Sequence, residues 1–335
     1  MAASTETGAA EDFAHGPGSS QRRFELDSLD RALIEQLRLD GRTGSRALAA
    51  RLDVNEVTVA ARLRRMEEAD VMRVVAVTDI RLFGHREFAF AMIEVVGRPV
   101  RDVASDLAAL PESIGVTICT GRFDIVVPLL GRDRIHLAEL FDRTIARIEG
   151  VGEAHSSIAL DVKKYDSKWA LLGADPGTAP EAQPSDTVDR TDLAIIDVLQ
   201  QDARRSNREI ASELGVSEGT VRGRIKRMLA ERVFRIQAVS DIVVSGVGAH
   251  AYILVRTATG RSDDVAEVLA GRDDVAQLTR VLDRFELVAL VHSSDRASLI
   301  EGILDEIALV EGVLRVETLD GVASLKHTYA WTWIV

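Results

Sequence analysis

Apolar side chains follow a helical period in some stretches of the chain and a strand period in others. Between 187 and 242, apolar residues recur every three or four positions, which predicts three short amphipathic helices. The residues that set this period are Leu193, Ile196 and Leu199, then Ile210 and Leu214, then Val221, Ile225 and Met228. Further along, short blocks of alternating apolar residues predict strands.

Two local signals predict how the helices are joined. Ser206 stands three residues before Glu209, which is the spacing of a capping box and predicts the start of the middle helix. The segment 215–217, Gly-Val-Ser, predicts a tight turn whose serine caps the third helix. Because such a turn makes the two helices cross steeply, the segment is predicted to be a helix-turn-helix.

The whole pattern occurs twice, at an offset of 162 residues. Asp30 and Asp192 are identical at this offset, as are about 23 of the 55 positions from Leu26 to Ile80 when they are compared with their counterparts. The offset continues without a gap to Arg122-Phe123 and Arg284-Phe285. Self-similarity at a fixed offset indicates repeated structural units, so we predict one folding unit in two copies.

After the helices and a connecting strand over 73–80, each copy is predicted to continue in the order βαββαβ. In the first copy the predicted strands cover 88–96, 114–120, 125–130 and 153–162, and the helices cover 103–110 and 134–148. In the second copy, strands are predicted over 251–257, 276–282, 285–291 and 313–322. This order favours an α+β fold, in which a ferredoxin-like sheet with helices on one face follows a winged or plain helix-turn-helix domain.

These patterns divide the chain into two units. The first unit is predicted to contain a helix-turn-helix domain over 25–80 and a mixed domain over 81–169, and the second has the same domains over 187–242 and 243–335. Residues 1–24 are predicted to form a mobile tail. A linker over 170–186, which holds three of the seven prolines, is predicted to join the units.

Composition restricts the class of protein. Hydrophobic residues make up 46% of the chain and charged residues 28%, which is typical of a globular protein. No apolar run approaches the roughly 18 residues that span a bilayer, and the start has no secretory signal, so we expect a cytoplasmic protein without a membrane partner. The single cysteine, Cys119, excludes an internal disulfide and a cysteine metal cluster, and no cofactor is predicted.

Charge is unevenly distributed along the chain. The net charge of −12 argues against a protein that coats nucleic acid non-specifically, but two basic islands lie at 38–65 and 204–232. On the third helix of the second unit, the apolar residues are predicted to point inward. Thr220, Gly223, Arg224 and Arg227 would then point outward, with Arg222 and Lys226 on the flank; the outward set in the first unit is Thr58, Ala61, Arg62 and Arg65.

A small, cationic helix face suits the major groove of DNA, where arginines reach base edges and flanking cations reach phosphates. An alternative is that these arginines only solvate a surface helix. Recurrence of the face in both copies favours DNA, although Gly44, Asp53 and Ala60 distinguish the first copy and predict that its helix binds more weakly. The predicted DNA-contacting residues are Thr58, Arg62, Arg64, Arg65, Ser206, Arg208, Thr220, Arg222, Arg224, Lys226 and Arg227.

Over essentially its whole length the sequence resembles the Lrp/AsnC family of leucine-responsive regulatory proteins. The segments that carry the resemblance are 29–37, 40–42, 207–217, the Thr-Gly-Arg-Phe-Asp turn over 120–124, and Glu-Gly-Val over 149–151. A fused pair of units resembles the tandem members of that family. The resemblance implies a sequence-specific transcriptional regulator that binds double-stranded DNA and assembles into homo-oligomers through its mixed domains, often called RAM domains.

Effectors of the family are typically amino acids, so the resemblance also implies an effector site. The residues that it implicates are Thr120, Gly121, Arg122 and Asp124 in the first unit, and Asp283, Arg284 and Glu286 in the second. In the second unit, the loss of the glycine and the presence of Asp283 would hinder binding of a ligand carboxylate. The alternative is that these turn residues serve hairpin geometry and packing between units.

Two other functions remain open at this stage. Sirohaem decarboxylases resemble this two-part fold and rely on histidines and arginines around the sensing module. The seven histidines of this chain share no spacing that suits a metal or an acid/base pair, so we predict no enzyme activity, no catalytic residue and no metal ligand. A protein that had lost DNA binding and kept only its sheet contacts is the other alternative, against which Arg224, Lys226 and Arg227 argue.

Overall fold

A computed structural model describes residues 26–69, 71–165, 187–240 and 247–327. The predicted tail over 1–24 and the predicted linker over 170–186 lie outside these residues. The described parts of the two units form a pair of helix-turn-helix domains with one shared core and a pair of ferredoxin-like sheets with another. Within these ranges, no helix has both the length and the apolar character needed to cross a membrane.

Three helices open each unit, as predicted. They are α1 (Ser28–Leu39), α2 (Ser45–Leu52) and α3 (Glu56–Glu68) in the first unit, and α6 (Arg190–Gln201), α7 (Asn207–Leu214) and α8 (Glu218–Ala230) in the second. The predicted capping box of Ser206 and Glu209 is present. Gly215 and its counterpart Asp53 both adopt left-handed backbone, with φ of 66° and 53°. The first unit therefore makes the same turn with a residue that is less suited to it.

The two connecting strands, β1 (Met72–Thr78) and β6 (Phe234–Ser240), pair with each other in an antiparallel ladder. Each strand thus bonds to the other unit instead of folding back as a wing against its own helices. Apolar residues of both units form one continuous core around this ladder, including Leu33, Ile34, Leu37, Met66, Ile196, Leu199, Ile225, Met228 and Phe234. One packed body therefore holds both third helices, α3 and α8, which we call the recognition helices.

The mixed domains have the predicted βαββαβ order. In the first unit the elements are β2 (Glu87–Val95), α4 (Val100–Ala108), β3 (Gly115–Thr120), β4 (Ile125–Gly131), α5 (Arg134–Glu139) and β5 (Val151–Tyr165). In the second they are β7 (Ala249–Thr257), α9 (Ser262–Ala270), β8 (Val275–Leu282), β9 (Leu287–Ser293), α10 (Arg296–Glu301) and β10 (Val313–His327). The last strands run past their predicted ends at 162 and 322, because their final residues pair with the other unit.

The two sheets close into one eight-stranded barrel, in the order β10-β3-β4-β2-β5-β8-β9-β7. Each last strand pairs with the first strand of its own sheet and with the second strand of the other, so no sheet edge among these strands is left open. Side chains of both units fill the interior, including Phe88, Phe90, Met92, Tyr252, Leu254 and Leu319. Cys119 is buried, and desolvation raises the pKa of its thiol to about 12.

Each last strand also contributes a lysine that binds carbonyl groups at or just beyond the end of a helix of the other unit. Lys326 of β10 is buried, and its Nζ donates to the carbonyl oxygens of Ala108 at 2.8 Å and Leu110 at 3.1 Å, at the end of α4. Lys164 of β5 donates in the same way to the carbonyl oxygen of Arg272 at 2.6 Å, beyond α9. A cation in this place binds carbonyls that have no partner within the helix and interacts favourably with the helix dipole.

We expect Lys326→Met to lower the free energy of unfolding by about 1–3 kcal/mol, because two buried carbonyls lose a charged donor. Urea denaturation followed by circular dichroism measures the change. Lys226→Met, at an exposed position of α8, is the matched control and should change stability by less than about 0.5 kcal/mol. Equal stability of the two variants would show that the buried lysine contributes nothing.

Candidate nucleic-acid interface and effector turns

Most of the predicted DNA-contacting residues lie on exposed sides of the helix-turn-helix helices. The exposed ones include Thr58, Arg64, Ser206, Arg208, Thr220, Arg222 and Lys226. Two of the hydroxyls also have local partners: Ser206 Oγ lies 2.7 Å from Glu209 Oε2, and Thr220 Oγ1 lies 2.8 Å from Ser217 Oγ. The exposed cations on each recognition helix are therefore placed to meet a ligand in solution.

Two arginines of α8 point toward the protein instead. Arg224 Nη1 donates to Asp189 Oδ2 at 2.7 Å and to Asp192 Oδ1 at 2.8 Å, and Arg227 Nη2 donates to Asp192 Oδ2 at 2.5 Å. Both arginines are half-buried, and the side chain of Asp192 is fully buried. The hydrogen bonds from Arg224 lower the pKa of the Asp189 carboxyl below its usual range. These arginines therefore join the recognition helix to the start of α6.

The first unit repeats this arrangement. Arg62 bonds to Asp27 and lies 3.1 Å from the buried Asp30, and Arg65 Nη2 donates to Asp30 Oδ2 at 2.6 Å. Arg65 is exposed, as predicted, whereas Arg62 and its counterparts in α8 are half-buried instead of pointing fully outward. All four arginines lie beside a capping-box aspartate. Sequence reasoning missed the aspartates as partners, although all of them are identical at the 162-residue offset.

The two predicted effector turns are built into the end of the barrel. Asp124 Oδ2 accepts from the Val95 amide at 2.7 Å, and Glu286 Oε2 accepts from the Thr257 amide at the same distance. Gly121 has a φ of 141°, and a Cβ there would lie 2.8 Å from the carbonyl oxygen of Thr318 in the other unit. The hydrogen bonds of Asp124 and Glu286 and the close packing of Gly121 therefore hold each turn against neighbouring strands.

Asp283 makes the corresponding contact between units in a different way. Its carboxylate accepts from Ser157 Oγ and lies 2.8 Å from His155 Nε2, both on β5 of the first unit. The Arg284 amide also donates to it, at 2.5 Å. The side chain is only 7% exposed, so this carboxylate is already occupied by partners within the chain. Sequence reasoning missed His155 and Ser157, which lie far away along the chain.

Arg122 and Arg284 are the predicted effector residues with exposed charged side chains on these turns, and Thr120 and Gly121 are exposed beside Arg122. The guanidinium groups of the two arginines lie 4.0 and 3.9 Å from the same oxygen, Glu317 Oε2, and each stacks over the phenylalanine that follows it. Oε2 of Glu317 is buried and accepts no hydrogen bond. The fold thus brings together two arginines from different units and a carboxylate that the sequence analysis did not identify.

The histidines whose side chains are described do not converge on one place. His155 is bound to Asp283, whereas His250 packs on Gly321 with its pKa lowered by burial. His85 and His136 lie together near Glu112, away from the effector turns. Within the described ranges, no three His, Cys, Asp or Glu side chains are grouped in a way that could hold a metal ion.

Comparison with known families matches both kinds of domain. Residues 26–67 and 188–229 each match the AsnC-type helix-turn-helix domain. Residues 88–169 match the Lrp/AsnC ligand binding domain. The matched ranges thus lie in both units for the helix-turn-helix domain and in the first unit for the ligand binding domain.

Relatives of similar sequence are about as long as one unit. An HTH-type transcriptional regulator of Pyrococcus abyssi is 33% identical over 145 residues, which is 43% of this chain and 92% of the relative. The HTH-type transcriptional regulator FL11 of Pyrococcus furiosus is 32% identical over 140 residues, 42% of this chain and 92% of that protein. Among solved structures, the siroheme decarboxylase NirDL has the same fold over 90% of this chain and 93% of its own, with a TM-score of 0.60 and 17% identity.

We expect Arg227→Ala to lower the free energy of unfolding by about 1–3 kcal/mol, because the buried Asp192 loses a charged donor. Arg222→Ala is the matched control, since that side chain is 67% exposed on the same helix and its removal should cost less than about 0.5 kcal/mol. Urea denaturation of both variants measures the difference. A smaller loss for Arg227→Ala than for the control would contradict a structural role for the network.

Proposed function

Because this chain belongs to the Lrp/AsnC family, we propose that it is a sequence-specific DNA-binding transcriptional regulator in which one polypeptide supplies both halves of a dimer. The observation that carries this proposal is the pair of recognition helices held by one shared core, each with exposed cations. Two helices joined in this way suit two successive major grooves of a duplex, about 34 Å apart. The exposed cations Arg64, Arg222 and Lys226 would bind phosphates and base edges.

The arginine–aspartate networks fit the same proposal in a supporting role. An arginine that is already bonded to a buried carboxylate loses those bonds if it turns toward a phosphate. Arg62, Arg65, Arg224 and Arg227 would therefore set the angle of each recognition helix, whereas the exposed cations contact DNA. Contacts to phosphate contribute a salt-dependent share of the affinity, and a positioning residue does not.

We further propose that a small zwitterion, such as an amino acid, binds at the end of the barrel beside Arg122, Arg284 and Glu317. The guanidinium groups suit a ligand carboxylate, and the carboxylate of Glu317, whose side chain is 19% exposed, suits an ammonium group. Because these groups come from both units, binding there would change how the units pack and so the spacing of the recognition helices. Assembly of several chains through the mixed domains is proposed on family grounds.

Enzyme activity is the second candidate, and we propose that this chain lacks it. This chain and the siroheme decarboxylase share 17% of their aligned residues, so the similarity between them concerns the fold alone. The described histidines do not form a single cluster, and His155 is bound to Asp283. An absorption titration with an iron uroporphyrin gives a direct test, since a bound chromophore would favour the enzyme.

DNA binding at two salt concentrations separates contact residues from positioning residues. We expect Lys226→Ala to reduce the slope of log K against log salt concentration by about one, because one phosphate contact is lost. Arg227→Ala should weaken binding while leaving that slope unchanged. A fluorescence-anisotropy titration with the upstream DNA of the gene gives both values. Absence of any sequence preference at either salt concentration would contradict the proposed function.

Isothermal titration calorimetry with the twenty amino acids tests the effector proposal. At least one amino acid should bind, and Glu317→Gln should weaken its binding at least tenfold, because the partner of the ammonium group loses its charge. Asp283→Asn, in the contact already occupied within the chain, is the matched control and should retain the affinity. No heat with any amino acid would contradict this site.

A further inference from the structure

We propose that the two recognition helices bind half-sites of different base composition: α3 contacts thymine methyl groups, and α8 contacts guanine edges. The proposal rests on the DNA-binding function above and adds the chemistry of the operator. It is carried by the side chains that the two helices expose at matching positions, where the N-terminal residues of a recognition helix contact bases.

The exposed side of α8 is unusually open. Gly219 and Gly223 stand one helical turn apart, and neither needs to be glycine for packing. A Cβ at Gly223 would meet nothing within 4 Å, and one at Gly219 would meet only Ser217 Oγ at 3.7 Å. Glycine inside a helix lowers its stability relative to alanine. Two unneeded glycines on one exposed side therefore suit close approach of a ligand to the helix backbone.

Arg222 stands beside these glycines and supplies the base-specific group. Its side chain is 67% exposed, and its ion pair with Glu218 is long, at 3.9 Å. An exposed pair of this kind holds an arginine only weakly. Arginine donates two hydrogen bonds to O6 and N7 of guanine, which is the commonest specific contact in the major groove.

The matching side of α3 carries methyl groups instead. Val57 stands at the position of Gly219 and is 76% exposed, and Ala60 and Ala61 replace Arg222 and Gly223. Aliphatic side chains in the major groove recognise the C5-methyl group of thymine. An exposed valine at the start of this helix therefore suits a thymine-containing half-site.

Other cations of α3 do not restore guanine recognition. Arg62 and Arg65 are bonded to Asp27 and Asp30, on the side of the helix that meets α1. Arg64 is exposed, but its counterpart on α8 is Lys226, so it does not distinguish the helices. Over the first half of the helix, residues 56–62, the two faces differ at the positions of Val57, Ala60 and Ala61.

Modified bases test the proposal with the unaltered protein. After selection of an operator from random duplexes, uracil replaces thymine to remove only the methyl group, and 7-deazaguanine replaces guanine to remove N7. We expect uracil to weaken binding by about fourfold per contacted methyl group in one half-site only. In the other half-site, 7-deazaguanine should weaken binding by about five- to 150-fold.

Protein variants then assign each half-site to a helix. Val57→Gly should abolish sensitivity to uracil, and Arg222→Ala should abolish sensitivity to 7-deazaguanine, each without affecting the other. The triple change Val57→Gly, Ala60→Arg and Ala61→Gly gives α3 the face of α8 and should select guanine in both half-sites. Thermal unfolding confirms that each variant is folded.

Two outcomes would overturn the inference while leaving DNA binding intact. One is a strictly symmetric operator selected by the unaltered chain, and the other is equal sensitivity of both half-sites to each modified base. Failure to select any operator would contradict the proposed function itself, so the two failures are distinguishable.

Discussion

The exchange of strand edges between the two units is the constraint on which the rest of the structure depends. A sheet edge presents backbone groups that need hydrogen-bond partners, and in a free sheet they attract other chains. Here β1 pairs with β6, β5 with β8, and β10 with β3. The half-buried Lys164 of β5 and the buried Lys326 of β10 likewise bind carbonyl groups at helix ends of the other unit. Neither unit is complete alone, so the position of each recognition helix is determined by both.

Electrostatics then determines which cations are available on the surface. The capping-box aspartates at the starts of α1 and α6 each bind arginines of the adjacent recognition helix, and this network is the same in both units. The two units differ at the effector turns. In the second unit Asp283 binds His155 of the first unit, whereas at the matching position of the first unit Gly121 packs against Thr318 of the second. Because both units belong to one chain, residues at matching positions of the two units can differ, as Gly121 and Asp283 do. The arginine–aspartate network, which stabilises the fold, is the same in both units.

Much of the fold could be predicted because its signals are local. Helix periods, the capping box at Ser206 and the 162-residue offset required no knowledge of distant contacts. Closure of the barrel could not be predicted, because edge pairing depends on strands more than a hundred residues apart. For the same reason the half-burial of Arg224 and Arg227 was not predicted: the helical period places them outward, and only the position of Asp192 shows that they turn toward the protein.

Strand exchange has a consequence for how the protein is made. When the first unit has emerged from the ribosome, β1 has no partner, and β3 and β5 each have one unpaired edge, until the second unit emerges. At roughly 5–20 residues per second, synthesis of the second unit takes on the order of ten seconds. During that interval the nascent first unit exposes three unpaired edges and part of the barrel interior. Nascent chains on neighbouring ribosomes could then exchange halves, and linkage in one polypeptide favours the correct pairing by keeping the proper partner close.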